Sequence, residues 1–380
     1  MTHIQDTIAR TAASDILDAL LGVQEDSALA QLRSKRPEAT AHAQGAYDAL
    51  FSDTSATRVS RTERLATALR VAALHAEPAF VEHYAALLRT TQSTSERLIT
   101  DVLTTGPSAD GLPPRLQAIL AHADLLVIRP AAATPADLDA LGAAGLSAPE
   151  IVTVSQLVAF TAFHIRVFVG LTLIGGADRS ASPTRLGPQD APSTGFTQEQ
   201  LGWTPWIEPF AAEDATPEQR AVLPGQRLDS PYFRLLALDP TVLGERTATD
   251  MGIFYTHGGL PRPERELSAT VTSRVNGCIF CASVHSRFAA QLSKRSADVQ
   301  RVLDDGVAAE LDPRWRALAD LAAALTVTPP AATPAHIARL RDLGLDDLDL
   351  LDAVQASAFF AWANRLMLSL GEPVRSAEPA

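Results

Sequence analysis

Two cysteines occur in the 380 residues, Cys278 and Cys281, three positions apart, and His285 follows four positions later. Thiols and imidazoles do nucleophilic and redox chemistry near neutral pH. At i, i+3 and i+7 the three share one helix face. The preceding stretch, PERELSATVTSRV at 263–275, reads as a helix opened by Pro263, because proline suits a first helical turn. Asn276-Gly277 ends it, since both residues tolerate the left-handed conformation found after helices. A new helix then starts near Cys278. This puts the thiols on a first turn, where unpaired N–H groups and the helix dipole favour an anion. Thiolate is the reactive form of cysteine, and both helix N-termini and CxxC spacing lower its pKa. His285, one turn beyond Cys281, is expected to accept its proton, the pattern of an activated nucleophile. Glu266, on the preceding helix, is expected to fold back and complete a proton relay.

Two plainer readings stand beside this one. Cys278, Cys281 and His285 make three ligands for zinc, with His257 or Glu266 as a fourth, although no second CxxC closes a structural site. The cysteines are otherwise inert core residues, since cysteine is often buried. A thioredoxin-like site needs a βαβ setting, and the sequence shows no convincing strand pattern.

Composition narrows the function classes. Hydrophobic residues make up 46% and aromatics 6%, a mix dominated by Ala, Leu and Val that favours helices. The formal charge is −12, and Lys35 and Lys294 are the only lysines. An acidic surface without a basic stripe argues against nucleic acid and against anionic membranes. The N-terminal MTHIQDTIARTAASD has scattered charges and does not read as a signal peptide. The most apolar stretch, 150–175, carries Gln156, His164 and Arg166 in its middle. A buried bundle helix fits it better than a membrane span, and the expected location is cytoplasmic.

The chain repeats itself. PPRLQAILAHADLLVIRPAAATPADLDALGAAGL at 113–146 matches DPRWRALADLAAALTVTPPAATPAHIARLRDLGL at 312–345, Pro114 falling on Pro313, a displacement of 199. Gln156, Phe160 and Arg166 fall likewise on Gln355, Phe359 and Arg365. Upstream the match weakens. At a displacement of 202, His83 falls on His285, Ala76 on Cys278, Ala79 on Cys281 and Arg64 on Glu266. The expected architecture is therefore all-α, two tandem helical bundles: a cysteine-free unit at 1–176, a Pro/Gly/Ser-rich arm at 177–227, and a unit with the thiol site at 228–380. Thr134-Pro135 and Thr333-Pro334 read as matching helix starts, threonine capping and proline first. Trp203 and Trp206 read as anchors that lay the arm on a partner surface. His83 reads as a core or interface histidine, and His164 as a buried, hydrogen-bonded one. Glu77 and Glu82 read as solvated helix residues, and Gln156 and Gln355 as one structural hydrogen bond repeated inside each bundle.

The pattern Glu-x11-Cys-x2-Cys-x3-His, here Glu266, Cys278, Cys281 and His285, resembles the active-site pattern of the AhpD branch of the AhpD/carboxymuconolactone decarboxylase superfamily. SPYF at 230–233 and GLPRPERELSATVTSRVNGCIFCASVH at 259–285 look like its peroxidase-related subgroup. The resemblance covers most of the second unit; the first looks like a thiol-less carboxymuconolactone-decarboxylase-type copy. It implies an alkylhydroperoxidase in which Cys281 is the peroxidatic thiolate, Cys278 resolves the sulfenic acid to a disulfide, and His285 and Glu266 relay protons. It implies no cofactor and no metal. The partners implied are a hydroperoxide, a dithiol reductant such as a lipoylated or thioredoxin-like protein, and other copies of the chain. A hexamer of single units would become a trimer of fused chains, near 120 kDa from the 40.4 kDa chain. The superfamily's other activity, cofactor-free decarboxylation, would rest on His and carboxylates and leave the thiols dispensable.

Overall fold

The computed structural model describes residues 15–52, 58–91, 95–182, 184–189 and 191–375. Nearly all of the stretch read for a signal peptide lies outside them. The first half runs through α1 (Ile16–Leu21), α2 (Ala28–Arg33), α3 (Pro37–Phe51), α4 (Arg61–Leu74), α5 (Pro78–Arg89), α6 (Glu96–Thr104), α7 (Pro114–Ile128), α8 (Pro135–Ala143) and α9 (Ala148–Ile174). After β1 (Leu201–Pro205) and α10 (Pro217–Val222) come α11 (Pro231–Leu236), α12 (Pro240–Phe254), α13 (Arg262–Asn276), α14 (Ile279–Ser293) and α15 (Ser296–Asp305). The chain ends in α16 (Pro313–Thr326), α17 (Pro334–Asp342), α18 (Asp347–Ser369) and β2 (Gly371–Arg375). The fold is all-α apart from that strand pair.

Local chemistry places the helix starts. Thr134 and Thr333 cap α8 and α17, each followed by proline. The Asp137 carboxylate accepts the Thr134 N–H at 2.7 Å, and His336 Nδ1 accepts the Thr333 N–H at 3.1 Å; these reciprocal bonds satisfy donors that a helix start leaves open. α7, α8 and α9 begin at Pro114, Pro135 and Ala148; α16, α17 and α18 begin at Pro313, Pro334 and Asp347, the same displacement each time.

The long apolar helix α9 is the one described helix with the length and hydropathy to cross a membrane, and nearly all of it is buried inside the protein. It packs along α18 at the centre of the molecule. Gly170 makes the close approach possible, for a Cβ there would overlap Val354. Across this seam the halves exchange equivalent bonds. Arg166 Nη2 donates to the Thr326 carbonyl at 2.7 Å, and Arg365 Nη2 donates to the Val127 carbonyl at 3.5 Å. Burial pushes both guanidinium pKa values down, that of Arg365 to about 10. A second seam joins α3 to α12, where His42 Nδ1 meets Glu245 Oε2 at 2.7 Å. The buried Asp352 carboxylate ties the halves further, accepting from Arg36 Nε at 2.7 Å, Arg265 Nη2 at 3.0 Å and the Leu260 N–H at 2.9 Å.

Four sequence readings change. β1 pairs antiparallel with β2, Leu201 opposite Arg375 and Pro205 opposite Gly371. Both segments are only five residues long and each holds a proline, a weak strand signal, and their pairing depends on segments far apart in sequence brought together by the bundle. Gln156 and Gln355 do not make one bond each inside their own halves. Gln156 Oε1 accepts from Trp362 Nε1 at 2.8 Å across the central seam, whereas Gln355 Oε1 is buried without a partner. Glu77 is buried and paired with Arg179 at 2.7 Å, because it caps α5 from inside the fold; Glu82 is exposed. His164 Nδ1 has no hydrogen-bond partner. Burial pushes the His164 pKa down to about 3, and the neutral ring sits 4.8 Å from the Phe160 ring.

The arm lies on its own chain. Trp203 Nε1 donates to the Met367 carbonyl at 3.2 Å, and its indole meets the Tyr232 ring edge-on at 5.3 Å. The Trp206 N–H donates to the Leu370 carbonyl at 2.8 Å. Phe196 lies under the Arg274 guanidinium, 4.3 Å from ring to cation.

Candidate active site

α13 runs from Arg262 to Asn276, and Gly277 at φ 81° turns the chain directly into α14. Only glycine takes this φ without strain, and its position is crowded as well, since a Cβ there would stand 2.7 Å from Pro192 Cδ. The turn makes Cys278 the N-cap of α14 and puts Cys281 in its first turn. Both thiols are reduced and buried. α13 and α14 pack side by side, which brings Glu266 against His285: Nδ1 stands 2.6 Å from Glu266 Oε2. Arg262 Nε donates to the other carboxylate oxygen at 2.5 Å. The structure thus brings together all four residues singled out from the sequence, Glu266 fully buried and His285 18% exposed at the side chain.

The electrostatics separate the two thiols. Burial works against the charge on Cys281, but its pKa is still lowered. The Cys278 thiol donates a hydrogen bond to it, the His285 charge stands close, and the Asn364 amide and Arg246 add to the effect. Cys278 goes the other way: burial raises its pKa, and donating its proton toward Cys281 raises it further. Burial disfavours an imidazolium at His285, and the Glu266 carboxylate outweighs it, so the His285 pKa is raised. Glu266 is lowered despite burial, held ionised by His285 and Arg262. The arrangement favours a charge chain: guanidinium, carboxylate, imidazolium, thiolate.

A cavity of about 400 Å³ opens onto Cys281 and His285 but not onto Cys278. Its walls are mostly apolar: Phe280 and Val284 from α14, Phe359, Phe360 and Met367 from α18, and Leu201 and Trp203 from the arm. The His285 ring packs edge-on against Phe360, centroids 4.2 Å apart. Arg246 and Asp250 of α12 also face the cavity. These two, Arg262 and Asn364 escaped the reading of the sequence. Arg246 and Asp250 are one turn apart on a helix that carries no motif, and Asn364 is a lone amide in an apolar helix. Of the SPYF stretch, Ser230 to Phe233 all line the cavity.

Among the described residues no three His, Cys, Asp or Glu side chains converge as metal ligands. The zinc reading therefore lacks its ligand set. Cys278 does not line the cavity, and the Glu266 oxygens are already held by His285 and Arg262.

The first half has no copy of this site. Ala76 takes a left-handed φ of 49° where Gly277 takes 81°, and Glu77 caps α5 as Cys278 caps α14. The Glu77 N–H bonds to the Ala72 carbonyl just as the Cys278 N–H bonds to the Ser273 carbonyl. These turns align the helices one residue away from the register read by eye. Glu77 and Phe80 then stand at the thiol positions, Tyr84 stands at His285, and Leu65 at Glu266. His83 is not the counterpart of His285; it bonds Tyr47 Oη at 2.7 Å. Arg64 is the counterpart of Arg265, both being buried donors to loop carbonyls, of Val59 and Gly258 respectively. Leu65, Phe80 and Tyr84 are fully buried and fill the space with packing.

Residues 240–324 match the carboxymuconolactone decarboxylase family. A crystal structure described as the alkylhydroperoxidase AhpD core of an uncharacterized peroxidase-related protein from Ralstonia eutropha JMP134 is 25% identical, covering 43% of this chain and 88% of that one, with a TM-score of 0.38. No curated protein matches the chain. The segment that matches the carboxymuconolactone decarboxylase family holds Arg246, Glu266, both cysteines and His285, so the family match and the site fall on the same stretch of chain.

Proposed function

We propose that the protein is a thiol-dependent hydroperoxide reductase with one active site per chain. The observation that carries this reading is the asymmetry of the thiols: Cys281 lines the cavity beside His285 and Cys278 does not; the surrounding charges act in the same sense, lowering the Cys281 pKa while burial raises that of Cys278. The Cys281 thiolate attacks the distal oxygen of a hydroperoxide. An S–O bond forms, the O–O bond breaks, and the leaving alkoxide takes a proton from His285. Cys281 is then a sulfenic acid. Cys278 attacks its sulfur, an S–S bond forms, and water leaves with the Cys278 proton. A dithiol partner, lipoylated or thioredoxin-like, returns two electrons and two protons. The thiols supply the electrons, so these steps use no cofactor. Glu266 keeps Nδ1 of His285 occupied and the ring charged. Reduced thiols of this kind belong in a reducing compartment, in keeping with a cytoplasmic enzyme.

The test is a thiol count. The reduced protein, freed of reductant, is mixed with less than one equivalent of cumene hydroperoxide at neutral pH. Two thiols are expected to disappear per peroxide, as one intramolecular disulfide seen in the intact mass. Thiols that stay free would defeat the reading. The match at 240–324 favours one second reading, decarboxylase-like proton chemistry on His285 and Glu266 with the thiols as bystanders; it predicts turnover that survives thiol oxidation.

The two halves are also proposed to be a fused pair of one ancestral bundle, and three chains then supply six bundles in a closed ring. Light scattering is expected to give about three times the 40.4 kDa chain mass; a monomer in dilute solution would refute this.

A further inference from the structure

We infer that the cavity selects hydroperoxides that carry a carboxylate, with Arg246 as the anion anchor and Tyr232 as a second donor. The inference names the substrate class of the site proposed above, and its anion-binding part stands without the redox chemistry. Arg246 lines the cavity and is only 6% exposed. A buried charge normally has a partner of opposite charge. Among the described residues, no ion pair joins Arg246 to a carboxylate, and its buried Nε has no hydrogen-bond acceptor. Asp250, one turn along α12, faces the same cavity without pairing with it; burial raises the Asp250 pKa and weakens its claim on the guanidinium.

Aromatic rings hold the guanidinium instead. Its central carbon lies 5.1 Å from the Phe359 centroid and 6.0 Å from those of Tyr232 and Trp362. Cation–π contacts stabilise the charge but accept none of its N–H bonds. The Tyr232 hydroxyl is a second buried polar atom without a partner on the same wall. Burial raises its pKa, so it stays a donor. Guanidinium and phenol together form a set of donors with nothing to donate to. A carboxylate satisfies both, and a guanidinium binds it in bidentate fashion. The other walls are apolar and suit an alkyl or aryl body. The lining also includes Cys281, so a substrate anchored by its carboxylate presents its far end to the thiolate.

The probes are 4-isopropylbenzoate, which cannot oxidise a thiol, its methyl ester, and the two corresponding cumyl hydroperoxides. Binding to the reduced full-length protein is followed by calorimetry. The acid is expected to bind at least about tenfold more tightly than the ester, as a charge-assisted hydrogen bond implies. Arg246→Met is expected to reduce that ratio to within about twofold, and Arg246→Lys to restore part of it. Equal affinity of acid and ester in the unaltered protein overturns the inference without any variant. A preference that persists in Arg246→Met assigns the anion to another cation and overturns it too. The hydroperoxide pair separates this from the reductase reading: preferential acid binding with no thiol loss to either peroxide would retain the anion site and reject the redox function.

Discussion

Cys281→Ser is expected to abolish hydroperoxide reduction, lowering kcat/KM by about a thousandfold or more, as removal of a covalent nucleophile does in other enzymes. The reasoning rests on position and charge. Cys281 lines the cavity and carries the lowered pKa; Cys278 lies outside the cavity with a raised one. A serine hydroxyl at 281 is not ionised near neutral pH and cannot be oxidised by peroxide. Cys278→Ser should behave differently. It leaves the nucleophile in place but removes a hydrogen-bond donor and the resolving thiol. One peroxide should still be consumed, more slowly, and the reaction should stop at a sulfenic acid that a dimedone adduct reveals by mass. A Cys281→Ser protein that turns over peroxide at the original rate sinks the thiol mechanism. Decarboxylase-type turnover retained in that variant would support the rival chemistry.

Glu266→Gln should have the second largest effect, a fall of about a hundredfold to ten-thousandfold in the peroxide step at neutral pH. The amide keeps the volume and loses the charge. Without the carboxylate 2.6 Å from Nδ1, burial governs His285 and its pKa drops. Neutral histidine no longer helps to ionise Cys281, so the thiol pKa climbs. The rate of thiol oxidation against pH should rise at a higher pH in the variant than in the parent, and the loss should shrink in alkali. A purely structural defect would lower the rate equally at every pH.

Stability should carry the same signature. His285 is raised in the folded protein, so its contribution is present below the unfolded value of 6.5 and fades as pH rises through the folded value. Glu266 is lowered, so its contribution is present above the unfolded value of 4.5 and fades as pH falls through the folded value. The pair therefore stabilises most between pH 4.5 and 6.5. Denaturant midpoints should show a maximum in that window for the parent and a flatter profile for Glu266→Gln.

Much of the chain was legible because it obeys short-range rules. Cys281 and His285 stand at helical spacing, so one face of α14 carries them whatever surrounds it, whereas Cys278 is the N-cap and lies off that face. Asn276-Gly277 demands a break, and the threonine–proline pairs demand helix starts; backbone geometry enforces both within a few residues. The displacement of 199 was legible because the matching helix starts, Pro114 with Pro313 and Pro135 with Pro334, are written in adjacent residues. What depends on contacts distant in sequence was not legible. The one-residue slip between α5 and α14 hangs on the backbone of Ala76, an alanine where its counterpart is a glycine, and no side-chain pattern reports a left-handed φ. The strand pair, the Gln156–Trp362 bond and the arm folded over the cavity each join residues more than 150 positions apart. The sequence by itself determined which atoms can do the chemistry. Tertiary packing decided which thiol faces the cavity, what charge each group carries there, and that Arg246 is buried without a carboxylate, because burial and the company of charges are properties of the packed molecule and not of the local chain.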